Sequence, residues 1–146
     1  MRIELFDKDF DPWQWLTSYQ NQHEALQSKF GATTVFVGTM RDFNEGQDVQ
    51  SMFLEHYPGM TEKSLHTIAN KAMDQWDVID ICIAHRIGKI LPADPIVCVV
   101  VWSKHRKEAY EANRFIMEEL KSTAPFWKKE QRKQGDEWVE KNTKGY

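Results

Sequence analysis

Apolar residues along the chain recur with two periods, and each period predicts a different kind of element. Alternating or continuously apolar stretches rich in β-branched residues are typical of strands. We expect strands, in chain order, at residues 2–6, 31–42, 49–57, 78–88, 95–103, 126–130 and 135–142. The stretch 95–103, PIVCVVVWS, is apolar almost throughout, which predicts a strand at the centre of its sheet. A turn-forming FNEGQD segment separates residues 31–42 from 49–57, so we expect these two strands to pair as a hairpin.

Two segments in the first half of the chain have the 3.6-residue spacing of amphipathic helices. Residues 11–20 predict a short helix with Pro12 in its first turn, where the missing N–H of proline costs nothing. Residues 58–76 predict a longer helix that Thr61 can cap and whose positive end suits Glu62. Its apolar positions recur at helical spacing, at Leu65, Ile68, Ala69, Ala72 and Trp76.

The last long helix is predicted at residues 103–122, with Ser103 as its N-cap. Its inward stripe consists of Ala109, Ala112, Ile116 and Leu120. Pro125 ends this helix and leaves the following FWKKE stretch extended. The predicted elements alternate as β-α-β-β-α-β-β-α-β, which mixes hairpins with long helices. This order favours an α+β fold in which helices pack on a mainly antiparallel sheet.

Composition indicates a globular protein with one core. The chain has 146 residues, of which 41% are hydrophobic and 12% aromatic. We expect one domain over residues 1–146, with a flexible tail at about 141–146. No apolar stretch approaches the ~20 residues of a membrane helix and no signal core begins the chain, so a cytoplasmic location is expected. Cys82 and Cys98 lie in apolar stretches without metal-ligand spacing, and we expect buried thiols rather than a disulfide or metal site.

Charge is distributed unevenly along the chain. The net charge of -3 argues against a general nucleic-acid binder. Residues 101–146 nevertheless hold eleven Lys/Arg and eight Asp/Glu, while residues 1–100 hold eight basic and fourteen acidic side chains. This asymmetry suggests one focused anion site rather than a broad basic surface.

Cations crowd the predicted start of the last helix, in the stretch SKHRKE. A positive side chain near a helix N-terminus opposes the helix dipole and costs about 0.3–1 kcal/mol. An anion bound near His105 and Arg106 would relieve this misfit. The alternative is a solvated first turn whose cations pair with Glu108 or Glu111.

The stretch KSTAPFWKKE, residues 121–130, places two aromatic residues among three lysines. It is either a surface edge whose lysines lie in solvent or a pocket wall whose lysines hold an anion. Lys121 suits the negative end of the helix, whereas Lys128 and Lys129 should point to opposite faces of an extended segment. A lysine that faces inward beside Phe126, near a second ammonium, would have a lowered pKa suited to acid–base work.

The remaining polar candidates have simpler interpretations. Arg41 lies where a predicted strand gives way to a loop, either as a binding residue or as a surface arginine paired with Asp42. His85, next to Arg86 at a strand end, and His56 are expected to be hydrogen-bonded core histidines. The sequence has no glycine-rich nucleotide motif, no GxSxG and no zinc motif, which lowers support for nucleotide-binding, serine-hydrolase and zinc-enzyme classes.

Five segments, in this order, closely resemble the large, catalytic subunit of molybdopterin synthase: GATTVFVGTMRD, LEHYPGMTEKSL, AHRIGKI, SKHRKEAYEANRFIMEELK and APFWKKE with GDEWVE. The resemblance runs from about Gly31 to Glu140. It implies an α/β hammerhead-type fold with an added small β subdomain. It also implies a sulfurtransferase of molybdenum cofactor biosynthesis.

The resemblance implies partners as well. Two large subunits would form a homodimer, and each would bind a small ubiquitin-like sulfur-carrier subunit to give a heterotetramer. The Gly-Gly tail of the carrier would end in a thiocarboxylate and supply sulfur to cyclic pyranopterin monophosphate. Two such transfers would build the dithiolene of molybdopterin. The large subunit would need no metal or cofactor of its own.

The family's substrate contacts match nine positions of this sequence, namely Thr39, Met40, Arg41, His105, Arg106, Lys121, Lys128, Lys129 and Glu130. By this resemblance, Lys121 is the essential acid–base or charge-stabilising group, and Lys128 assists it. Arg41, His105 and Arg106 would bind the phosphate and the pterin. We expect these groups to share one cavity.

Thr39 departs from the pattern, because some relatives carry lysine there and this chain lacks that charge. The competing interpretation of the whole sequence is a non-catalytic module that recognises the tail of a partner through a basic groove. The presence of both Lys121 and Lys128 weighs against it.

Overall fold

A computed structural model describes residues 1–44, 46–132 and 135–139. The elements follow one another as β1 (Arg2–Phe6), α1 (Pro12–Gln22), α2 (Glu24–Gln27), β2 (Ala32–Thr39), β3 (Phe43–Asn44), β4 (Gln47–His56), α3 (Met60–Gln75), β5 (Val78–Arg86), β6 (Gly88–Ile90), β7 (Pro95–Ser103), α4 (Arg106–Thr123), β8 (Phe126–Arg132) and β9 (Gly135–Val139). No helix in these ranges is long and apolar enough to cross a membrane. The expected tail at about 141–146 lies outside the described residues, and the single-domain boundary stays a prediction.

The larger of two sheets has the strand order β1-β5-β7-β2. Strand β1 runs parallel to β5, whereas β5–β7 and β7–β2 pair antiparallel. Strand β7 is therefore internal, as its continuous apolar run predicted. The α+β fold class expected from the element order is confirmed.

Helices cover both faces of this sheet, and the two-residue period of the strands divides the core between them. Ile81 and Ile83 of β5 pack under α3 and α4, together with Ala112, Ile116 and Leu120 of the predicted stripe of α4. The intervening Cys82, with Cys98 of β7, packs on the opposite face near α1. Both thiols are unbridged and buried as expected, and burial raises the pKa of each to about 12.

The N-cap residue of α3 differs from the predicted one. Gly59, at a φ of 82°, occupies the N-cap position that was assigned to Thr61. Thr61 is buried instead, where its hydroxyl accepts from the Tyr57 amide and donates to the Pro125 carbonyl. The hydroxyl therefore ties the start of α3 to the end of α4 rather than capping its own helix. Glu62 acts as expected at the positive end, since its carboxylate accepts from the Gly59 amide.

The start of α4 is also displaced from the prediction. Ser103 remains in β7, paired with strands on both sides, and the N-cap is His105. The Ser103 hydroxyl donates to the Asp77 carbonyl and accepts from the His105 amide. Gly31 packs so closely here that an added Cβ would lie 2.3 Å from the Lys104 carbonyl oxygen. The entry into α4 is thus held by β-sheet pairing rather than by a serine cap.

The predicted hairpin between residues 31–42 and 49–57 does not form between β2 and β4: the short strand β3 pairs antiparallel with the start of β4 instead, and the Val49 amide donates to the Asp42 carbonyl. Strand β2 pairs along its length with β7, and β4 belongs to a second sheet in the order β3-β4-β8-β9, with β6 also paired to β4. The ladder irregularity between Gly38 and Thr39 marks the point where the chain leaves the first sheet. Strand β7 is long and apolar, whereas β4 has polar residues near its ends. Pairing with β7 therefore gives β2 the more extensive contact.

A small core joins the second sheet to the first. It consists of Met40, Val49, Met52, Leu54 and Ile90, all buried. Phe126, the first residue of β8, packs against both this core and the main core. Because β8 follows α4 after a short break at Pro125, the last turn of α4 and the start of β8 lie together where the sheets meet.

Candidate active site

Two lysine side chains meet where the two sheets join. Lys121 lies in the last turn of α4, and Lys128 lies on β8 beyond Pro125. Their side chains lie close enough for the charge of Lys128 to disfavour a charge on Lys121. An ammonium has three donors and no acceptor, so the two nitrogens can hydrogen-bond to each other only when one of them has lost its proton. The pair can therefore carry one positive charge and one basic lone pair.

The surroundings of Lys121 lower the pKa of its side chain. Burial, followed by repulsion from Lys128, lowers the pKa of Lys121 from 10.5 to about 8. The sequence argument anticipated a lowered pKa for an inward lysine beside a second ammonium, and the effect falls on Lys121. This lysine can bind and release a proton near neutral pH.

A buried histidine borders the pair. The imidazole of His85 stacks on the ring of Phe126, with centroids 4.0 Å apart. Its Nδ1 lies 2.7 Å from the Arg86 carbonyl oxygen. Burial, reinforced by Lys121 and Lys128 and partly opposed by the carbonyl, lowers the pKa of His85 to about 3. The expectation of a hydrogen-bonded core histidine is confirmed here, whereas His56 is only half-buried.

Successive side chains of β8 point to opposite faces of the strand, as predicted for Lys128 and Lys129. Lys128 and the buried Glu130 face inward with Phe126, opposite Leu54 and Met52 of β4 in the ladder. Lys129 faces the other way, 5.8 Å from the ring centre of Trp138. The structure therefore brings Lys128 to Lys121 and turns Lys129 away from both, which corrects its expected place in the shared cavity.

The segment from Thr39 to Arg41 lies at the end of β2. Met40 is buried in the small core, and its backbone pairs with the carbonyl of Asp94 and the amide of Ala93. Thr39 and Arg41 on either side are exposed. Met40 is thus an anchor that fixes the direction of its two neighbours.

Arg86 supports the loop that holds this anchor. Its guanidinium is buried, donates to the Lys89 carbonyl, and lies 3.7 Å from Asp9 and 3.9 Å from Asp94. Asp94 also accepts from the Leu91 amide. A charged strand-end residue such as Arg86 signals a structural anchor only once its acidic neighbours are known.

His105 and Arg106 lie at the opposite end of α4 from Lys121. Fifteen residues of helix separate Arg106 from Lys121, which is about 22 Å along the axis. Both residues are exposed. The expected single cavity of Arg41, Arg106, Lys121 and Lys128 is therefore wrong for one copy of the chain, because one straight helix holds Arg106 and Lys121 at its two ends.

A cavity of about 610 Å³ lies between β2 and α4 and reaches Lys121. Its walls include Phe36 of β2 and Tyr110 and Met117 of α4. Phe36 is 42% exposed and Tyr110 67% exposed. Since β2 is the last strand of its sheet, one backbone edge of β2 has no strand beside it among the described residues. Sequence reasoning missed this wall, because an aromatic residue on an edge strand looks like any core residue.

Comparisons with known proteins agree with this architecture. The family model described as MoaE protein matches residues 8–123. The molybdopterin synthase catalytic subunit of Ralstonia nicotianae is 56% identical over 138 residues, which cover 94% of this chain and 76% of the relative. The same subunit of Pasteurella multocida is 47% identical over 143 residues, covering 96% and 90%.

Two solved structures share the fold. The molybdopterin synthase of Staphylococcus aureus matches with a TM-score of 0.81 at 32% identity, covering 93% of this chain and 95% of that one. A complex of subunits 1 and 2 of the molybdopterin-converting factor from Helicobacter pylori matches with a TM-score of 0.78 at 25% identity, covering 97% and 92%. The family resemblance seen in the sequence is confirmed.

The lowered pKa of Lys121 predicts that this lysine costs stability. We expect Lys121→Met to raise the melting temperature at pH 7 by about 2–4 °C, because it removes a half-buried, repelled charge while keeping the side-chain volume. Lys121 destabilises the wild-type protein most below pH 8, where its side chain is protonated in both the folded and the unfolded state. This destabilisation disappears by pH 10.5. The gain should therefore shrink as the pH rises from 8 to 10.5.

Thermal unfolding of wild type and variant at pH 7 and pH 10 measures this effect. Lys129→Met is the matched control, because Lys129 lies on the outer face of β8 and is turned away from Lys121. A Lys121→Met protein that melts below wild type at pH 7, or whose gain does not depend on pH, would contradict the account.

Proposed function

The chain belongs to the MoaE family of molybdopterin synthase catalytic subunits, enzymes of molybdopterin formation, and from this premise we propose that it transfers sulfur to a pterin precursor. The sulfur donor is the C-terminal thiocarboxylate of a small ubiquitin-like carrier. The acceptor is cyclic pyranopterin monophosphate. The observation that carries this proposal is the proximity of Lys121 and Lys128, which contributes to the lowered pKa of Lys121.

The lysine pair answers an electrostatic problem in this reaction. The carrier tail and the substrate phosphate are both anions, so they repel each other unless the protein supplies positive charge. Lys128 provides a cation at the join of the sheets, and Lys121 provides a group that accepts and returns protons. The thiocarboxylate sulfur is itself the nucleophile, so the chain need not supply one. Its tasks are to orient, to neutralise charge and to move protons.

The cavity between β2 and α4 is the proposed route for the carrier tail. An extended Gly-Gly tail is narrow, and Lys121 is one of the residues that line this cavity. Its walls combine apolar and polar side chains, and one edge of β2 has no strand beside it in the described part of the chain, so a peptide in extended conformation suits this place. The similar Helicobacter pylori structure is described as a complex of two subunits, which supports a small partner for this chain as well.

A second copy of the chain is proposed to complete the substrate site. His105 and Arg106 are about 22 Å from Lys121 along α4, so they cannot touch the same small substrate from one copy. In a twofold dimer, the first turn of α4 from one copy can approach the lysine pair of the other. Arg41, Thr39 and the substrate phosphate would lie at this boundary. Lys121 and Lys128 of each pair would belong to the same copy of the chain.

Substitution of the lysine pair tests the proposed chemistry. Lys121→Ala should lower the rate of dithiolene formation by about 100-fold or more in a purified assay with thiocarboxylated carrier, because the acid–base group is gone. Lys128→Ala should lower it less. Carrier binding, measured by titration calorimetry, should be retained in both variants.

Lys129→Ala is the matched control on the outer face of β8 and should lose far less activity than either variant. Wild-type turnover by Lys121→Ala would remove this lysine from the mechanism. A wild-type protein that binds thiocarboxylated carrier and forms no product would instead favour the docking-module interpretation.

Mixing two inactive variants tests the shared site. Lys121→Ala and Arg106→Ala each damage one half of the proposed site, but a mixed dimer holds one intact site made from both copies. Dissociating and reassociating an equal mixture should restore about a quarter of the wild-type rate, the statistical share of intact sites. If Lys121 and Arg106 act from the same copy, the mixture should stay as inactive as its components.

A further inference from the structure

His85 has a role beyond filling the core. Resting on the proposed function of Lys121, we propose that His85 is a positioning residue for proton transfer: its Nε2 lone pair accepts a hydrogen bond from the ammonium that forms when Lys121 takes up a proton. The imidazole is 3% exposed and borders both lysines of the pair.

The tautomer of His85 is set by its own strand. Nδ1 lies 2.7 Å from the carbonyl oxygen of Arg86, and a carbonyl can only accept, so Nδ1 carries the proton. In a neutral ring the other nitrogen, Nε2, then has no proton and is an acceptor. The face-to-face stack on Phe126, with planes 15° apart, prevents the ring from tilting. The lone pair therefore has one fixed direction.

Two cations shift the pKa of this ring, whereas the buried Glu130 farther along β8 is not among the groups that do so. Lys121 approaches from α4 and Lys128 from β8, and both disfavour a positive charge on His85. The guanidinium of the neighbouring Arg86 points away, towards Asp9 and Asp94. On its own sheet, His85 is paired with the apolar residues Leu5 of β1 and Val97 of β7. The imidazole stays neutral, and the two ammonium groups are the charged donors whose electrostatic effect reaches it.

Such an acceptor has a specific use in the reaction. When Lys121 removes a proton from the reacting group, an Nζ–H bond forms and a second positive charge appears beside Lys128. A neutral nitrogen lone pair stabilises this ammonium through a charge-assisted hydrogen bond without adding a charge of its own. A carboxylate in the same place would hold Lys121 permanently protonated, and water would not have a fixed direction. Neutral His85 therefore keeps Lys121 able both to take up and to return its proton.

Two substitutions separate this role from simple support of Phe126. His85→Phe keeps a flat ring on Phe126 and removes both nitrogens, whereas His85→Gln keeps an amide acceptor and removes the ring. We expect His85→Phe to lower kcat about tenfold or more with little change in KM. The pKa of Lys121, followed by ¹³C NMR of its Cε in the full-length protein, should fall below the wild-type value. His85→Gln should recover most of the rate and of the pKa.

The opposite pattern would overturn the proposal. If the stack alone matters, His85→Phe will match wild type in kcat and in the Lys121 pKa, while His85→Gln will be impaired. His56→Phe serves as a control, because His56 is half-buried on β4 and is not placed in the reaction. The NMR titration needs no turnover. It therefore tests the acceptor even if Lys121→Ala proves fully active and the proposed function fails.

Discussion

Two like charges held in contact are the constraint on which this structure depends. Lys121 and Lys128 would separate in water, and they meet because α4 stops at Pro125 and β8 returns alongside β4. Burial and repulsion from Lys128 then lower the pKa of Lys121 into the range where a proton can be exchanged near neutral pH. Such an arrangement opposes folding stability, so its presence points to chemistry.

The surroundings of the pair explain how the fold sustains it. Phe126 packs into both hydrophobic cores and so fixes the start of β8, and His85 stacks on Phe126 from the first sheet. Thr61 adds a hydrogen bond from α3 to the Pro125 carbonyl, at the break between helix and strand. The two sheets, the helices α3 and α4, and the lysine pair therefore meet at one join. A change in any of these contacts would move Lys128 relative to Lys121.

Local periodicity predicted the elements well, because it depends on burial within a few residues. The central strand β7, the stripe of α4 and the opposite directions of Lys128 and Lys129 all followed from spacing. Pairing between distant segments was harder: β2 prefers β7 to β4, and Ser103 stays in the sheet rather than capping α4. The site was only partly predictable, since charge clustering identified Arg106 but not its distance from Lys121.

The pKa of Lys121 is the most direct test of this account. It can be measured by ¹³C NMR titration of the lysine Cε in wild type and in Lys128→Ala. We predict a value of about 8 in wild type, rising in the variant because repulsion is removed while burial remains. A wild-type value near 10.5, or a value unchanged by loss of Lys128, would contradict the claim that the two lysines act as one coupled pair.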